Sequence, residues 1–171
     1  MLRFGIAGIF CSLLLAEGLH IKPGLWEATT ANNIMAAMMP EEKLAQMPPA
    51  QRAQIEAMMK QANNQPPVKV CYTKEQIDSG MRYNMDRAGN SCKTTVVSSV
   101  GSKQVSEMAC DNGKNKTTGT ITFETQDPEH YTGLVQMHTN ASGPAKEMTI
   151  KIAAKWVGSD CGDVKPHDYA K

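Results

Sequence analysis

The sequence predicts a mainly β domain: a curved antiparallel sheet or partial barrel of about seven strands, with a Met-rich helical insertion between strands one and two. Three observations carry that prediction. Seven segments alternate apolar and polar side chains over strand-like lengths, the period of a half-buried strand. Gly, Asn, Asp, Ser and Pro gather in the short gaps between the last five of them, and these are the residues of tight turns. The long gap between the first two segments, residues 34–63, is instead rich in Ala, Gln, Glu, Lys and Met, a composition that favours helix.

Taken in order, residues 1–18 read as an export signal. Arg3 supplies the positive start, Phe4–Leu15 the apolar run, and Ala16-Glu17-Gly18 a small-x-small cleavage site. About a dozen apolar residues are too few to span a bilayer, which takes roughly 20. The signal is therefore expected to be cleaved, leaving residues 19–171 as a single domain in the periplasm. The first strand is read over Gly24–Ala31. Pro40–Ala62 then forms a short helix and a longer one, divided at Pro48-Pro49 because proline removes a helix donor. The longer helix carries the stripe Ile55, Met58, Met59 and Ala62. Val68–Tyr72 is the second strand, and Thr73 with Gln76 three residues on reads as a capping box that Gly80 closes.

Cys92–Val100, Lys103–Cys110, Thr117–Thr125, His130–Thr139 and Glu147–Val157 follow as a meander, since connections this short join antiparallel neighbours. In the last strand Met148, Ile150, Ile152, Ala154 and Trp156 share one face, and Thr149, Lys151 and Lys155 the other. The lysines are expected to be solvated charges guarding a sheet edge. A sheet with one apolar face needs a cover, and the longer helix is the expected one.

Composition narrows the function classes. The formal charge is +1, and losing Arg3 and Glu17 together leaves it there, so no global field favours nucleic acid or an anionic membrane. No other segment is apolar enough to cross a bilayer. Four cysteines follow the signal, Cys71, Cys92, Cys110 and Cys161, an even number that reads as two disulfides in an oxidising compartment. None forms a C-x-x-C pair. If Gly101 is the centre of its turn, Cys92 and Cys110 are equidistant from it, face each other and bridge, which leaves Cys71 for Cys161. A two-residue turn on Gly101-Ser102 shifts that register by one, and the rival pairing is Cys71 with Cys92 and Cys110 with Cys161.

Three stretches together carry a family likeness: Lys22-Pro23-Gly24-Leu25-Trp26-Glu27, Cys71-Tyr72-Thr73-Lys74-Glu75-Gln76, and Gly158-Ser159-Asp160-Cys161. They resemble the exported bacterial family known as domain of unknown function 3617, over nearly the whole mature chain. The resemblance implies a Gram-negative periplasmic setting and transfers no reaction. Trp156-Val157 stands where a basic pair is expected, and the tail runs on to Lys171. Gly24-Leu25-Trp26 also resembles the G-x-W at the start of the first lipocalin strand, which keeps a lipocalin-like ligand carrier among the readings beside a simple core tryptophan.

Met35, Met38, Met39, Met47, Met58 and Met59 lie in the insert. Methionine is a flexible apolar filler suited to a cover or an adaptable surface, so with Ile55 these residues are the expected surface for a hydrophobic ligand or a periplasmic protein partner. A different class of reading makes Met35, Met38 and Met39 a Cu(I) site, since thioethers suit that ion. His130 and His138 stand about 26 Å apart on one strand and cannot share a metal, and a surface role is expected for both. Asp127-Pro128-Glu129 reads as a turn. No hydrolase, zinc-protease, phosphate-loop or dinucleotide motif is present. The expectation is a non-catalytic binding or interaction module without a cofactor.

Overall fold

The alternating segments pair into one eight-stranded antiparallel sheet. Its strands are β1 (Gly24–Asn32), β2 (Val68–Tyr72), β3 (Met85–Arg87), β4 (Asn90–Val100), β5 (Lys103–Asp111), β6 (Lys116–Asp127), β7 (His130–Thr139) and β8 (Lys146–Gly158). The structure, a computed structural model, describes residues 19–63, 65–81, 85–87, 90–113, 115–140 and 146–166. The expected export signal, His167 and the Ser142-Gly143-Pro144 turn lie outside the described residues. The spatial order is β2-β1-β8-β7-β6-β5-β4-β3, and the sheet curls into a half-barrel whose edges are β2 and β3. Seven of the strands are the expected ones. The eighth, β3, is three residues long and too short to show an alternation.

The long last strand does not lie at an edge. β8 is hydrogen-bonded to β1 on one side and β7 on the other, so Lys151 and Lys155 cannot be edge guards. Edge protection was the wrong explanation because the chain returns to its own first strand, which local turn chemistry does not reveal.

The β4–β5 hairpin resolves the question of register. Next to the turn, Val100 faces Lys103, as a two-residue turn on Gly101-Ser102 requires; a bulge between Val96 and Ser98 then restores the symmetric pairing, and Cys92 faces Cys110. The extra residue of the bulge offsets the residue missing from the turn. Cys92–Cys110 and Cys71–Cys161 are both disulfide-bonded, with Cα atoms 4.0 and 5.7 Å apart.

Residues directly opposite on antiparallel strands share a face, so the register sorts the sheet into two. One face carries Trp26 and Ala28 of β1, Ala154 and Ile152 of β8, Tyr131 of β7 and Phe123 of β6. These join the buried cluster, which also contains Leu19, Ile21, Tyr72, Ile77 and Met81. The cover over it is thus the Leu19–Ile21 segment together with α4 (Lys74–Asp78) and the turn after it. The capping box of α4 is present as predicted, with Thr73 Oγ1 accepting from the Gln76 amide and Gln76 Oε1 from the Thr73 amide. Gly80 follows with φ +78 and leaves its carbonyl to accept from the buried Gln104 side chain at 2.6 Å.

The insert forms three helices, α1 (Ile34–Met38), α2 (Glu41–Ala45) and α3 (Pro49–Asn63). The first docks on β8 through Asn33, whose side chain accepts from the Thr149 amide at 2.6 Å. Arg52 of α3 donates to the carbonyls of Leu44 and Ala45, each at 3.0 Å, which satisfies orphan acceptors at the end of α2. The stripe on α3 is half-buried at Ile55, Met59 and Ala62, whereas Met58 faces outward. Leu44 is the one buried side chain of the insert among the described residues, so the apolar cluster is capped mainly by α4 and the N-terminal segment, not by α3.

Candidate functional site

The opposite, open face of the sheet carries the candidate site. β1 contributes Thr29 and Ala31, β8 Lys151 and Ala153, β7 Thr132, Leu134 and Gln136, β6 Thr122 and Glu124, and β5 Lys103; cross-strand pairing places all of them on one side. They line a trough of about 1040 Å³ that crosses five strands, with Gln65 at its rim. Two smaller hollows continue it. One of about 310 Å³ shares Thr29, Thr132 and Ala153 with it, and one of about 440 Å³ shares Gln136.

The trough exists because its floor is small. Ala31, Ala153 and three threonines occupy positions that larger residues would fill. Thr29 donates its hydroxyl to the Ala153 carbonyl at 3.2 Å, and Thr132 donates to the Glu124 carbonyl at 3.4 Å. Their protons are thus committed to the sheet, and the Thr132 oxygen also accepts from the Gln126 amide at 3.1 Å, which leaves mainly γ-methyl groups to meet a ligand.

Side chains that could carry charge at the β1 end are already paired. Lys155 bonds Glu27 at 3.2 Å, His130 Nδ1 meets the Asp127 carboxylate at 2.9 Å, and Lys22 pairs with Glu129. The Glu129 amide and then the His130 ring hold the Asp127 carboxyl below the usual carboxylate range. Such pairs orient the turn and offer no poised acid or base. Among the described residues, no group of three His, Cys, Asp or Glu is placed to hold a metal ion.

The residues expected from sequence sit elsewhere. Met35 and Met39 are half-buried around α1, Met38 is 41% exposed, Met47 lies half-buried before α3, and Met58 is 57% exposed. None of these, nor Ile55 or Met59, lines any of the three hollows. His130 and His138 are both exposed on β7, as expected. Sequence reasoning missed the trough because its residues are the polar partners of each alternation, which look like plain solvent-facing positions. The one available signal was the unusual share of Ala and Thr among them.

The three stretches that carry the family likeness converge on one corner of the sheet. Trp26 is fully buried, its indole donating to the Lys22 carbonyl at 3.0 Å and its ring 5.1 Å from that of Tyr131. Lys22 reaches over Trp156 at 4.7 Å from the ring centroid, and the Trp156 indole donates to the Pro23 carbonyl at 3.1 Å. Gly24 has φ +126, and a Cβ there would stand 2.2 Å from the Gly158 carbonyl oxygen, so only glycine fits. Cys71 bridges to Cys161 beside them.

Tyr72 completes the corner. Its hydroxyl meets that of Tyr131 at 2.9 Å, and burial, followed by Tyr131, pushes its pKa above the ordinary tyrosine range. The sign of the pH effect follows: the folded state holds this proton more tightly, so stability is full below the unfolded value of about 10 and falls as pH rises above it. Thermal unfolding between neutral pH and pH 11 should show this alkaline loss, and Tyr72→Phe should flatten it; an unchanged slope in that variant would contradict the assignment.

An open antiparallel half-barrel with an aromatic, disulfide-tied corner and a trough on its free face defines the class of this protein. A match to the family described as "Protein of unknown function (DUF3617)" spans residues 21–161, and the chain belongs to that family. The matched span runs from Ile21, a core residue of the corner, to Cys161, which is disulfide-bonded to Cys71. No curated protein and no solved structure matches the chain.

Proposed function

We propose that this protein is an exported, non-catalytic binding module of the periplasm, and that its open-face trough holds a ligand with substantial apolar surface. One observation carries the reading: a continuous hollow of about 1040 Å³, floored by alanines, threonines and Leu134, spans five strands. That is the upper end of the size range of small-molecule sites, which combine apolar walls with a few placed polar groups. The paired charges beside it favour binding over catalysis. The lipocalin-like carrier is replaced by an open-sheet counterpart, because Trp26 lies in the buried cluster and the sheet has two edges.

Native mass spectrometry of protein purified from the periplasm, followed by organic extraction, tests the proposal. A small molecule should accompany the wild type and be lost from Ala153→Trp, which fills the trough at an exposed position. A ligand retained unchanged by a folded Ala153→Trp protein would place binding elsewhere.

A further inference from the structure

We infer that the trough takes a single-chain anionic amphiphile, with Lys151 as the residue that receives the head group. This rests on the reading of the trough as the ligand site. Among the described residues, three charged side chains line it: Lys103, Glu124 and Lys151. Lys103 and Glu124 face each other across β5 and β6 and offset one another. Lys151 faces Ala31 on β1 and Leu134 on β7; its neighbours on the same face of β8 are Ala153 and Thr149. Among the described residues no carboxylate pairs with it, in contrast to Lys155 beyond Ala153 on the same face, which has Glu27 at 3.2 Å.

A cation set among apolar and small side chains, on a central strand, complements one negative charge attached to an apolar body. Its aliphatic stem adds contact area while its ammonium supplies the charge. From β8 the trough continues across β7 and β6 to β5, three strand spacings or about 14 Å, which an extended acyl chain of about a dozen carbons covers. The small floor residues let such a chain lie against the sheet, and the committed threonine hydroxyls present methyl groups to it.

Dodecanoate below its micelle concentration is the probe, titrated calorimetrically against the full mature chain, with dodecyltrimethylammonium as the matched cation. The wild type is expected to bind dodecanoate and to prefer it over the cation by about tenfold or more. Lys151→Met, which keeps the apolar stem, should lose about that factor, and Lys151→Glu should invert the preference. Lys43→Ala, on α2 and outside all three hollows, should leave dodecanoate affinity within about twofold. Circular dichroism verifies that each variant is folded.

Equal affinity for both head groups, or an unaffected Lys151→Glu, would overturn the head-group assignment while binding abolished by Ala153→Trp still upheld the trough. Failure of wild type to bind either amphiphile, together with a co-purifying ligand insensitive to Ala153→Trp, would overturn the trough itself. Association with anionic phospholipid vesicles but not with monomeric dodecanoate would overturn the inference in favour of a membrane surface.

Discussion

Trp26→Ala is expected to lower stability by about 3–5 kcal/mol, the range for removing a large aromatic side chain from a core. Trp26 has no exposed surface and touches the Tyr131 and Tyr72 rings at centroid distances of 5.1 and 6.4 Å. Its indole also ties the N-terminal segment to β1 through the Lys22 carbonyl. The cavity would lie between β1, β7 and α4 and could not collapse, because the disulfide and the Gly24–Gly158 contact hold the surrounding backbone. For a domain of this size the melting temperature should fall by on the order of 10 °C. Trp26→Phe should recover most of the loss but not the part due to the indole hydrogen bond. An alanine variant that melts within about 2 °C of wild type would show that the corner does not anchor the fold.

Replacing Cys71 and Cys161 by serine should cost nearly as much. The bridge closes a loop with a sequence separation of 90, worth about 4–5 kcal/mol in the chain-entropy model, against about 3 for the separation of 18 between Cys92 and Cys110. It also crosses β1 at Leu25, which pairs with Cys71 on one side and Gly158 on the other. Edge strand β2 is thereby tied to the chain beyond β8. Chemical denaturation should rank the Cys71/Cys161 double variant below the Cys92/Cys110 one, and hydrogen exchange should rise first in β2. A reversed ranking would mean that the short hairpin bridge, not the corner, carries the constraint.

The strands were legible because their alternation is local: β2 and β7 begin and end where the sequence places them, and the Thr73–Gln76 box survives intact. The disulfide pairing was legible in outcome, although the hairpin reaches it through a two-residue turn and a compensating bulge at Val97, two departures that cancel and that sequence symmetry cannot reveal. The position of β8 between β1 and β7 was not legible, because it depends on a contact between the two ends of the chain. The trough was hidden for the same reason. Ala31, Leu134 and Ala153 lie on three strands, and only the register brings them together around Lys151. The methionines drew attention by composition, yet the buried corner relies on Ile77, Met81, Leu19 and Ile21, short segments without a conspicuous pattern.

The central claim is that the open face of the sheet binds the ligand. Its most direct test is a heteronuclear NMR titration of the oxidised protein with dodecanoate, following backbone amides and the methyl groups of alanine, leucine, threonine and methionine. The predicted result is saturable shift changes at Ala31, Leu134, Thr132, Lys151 and Ala153, with the methyl signals of Met35, Met38, Met58 and Met59 unmoved. Shifts concentrated on those methionines, with the trough residues silent, would contradict it.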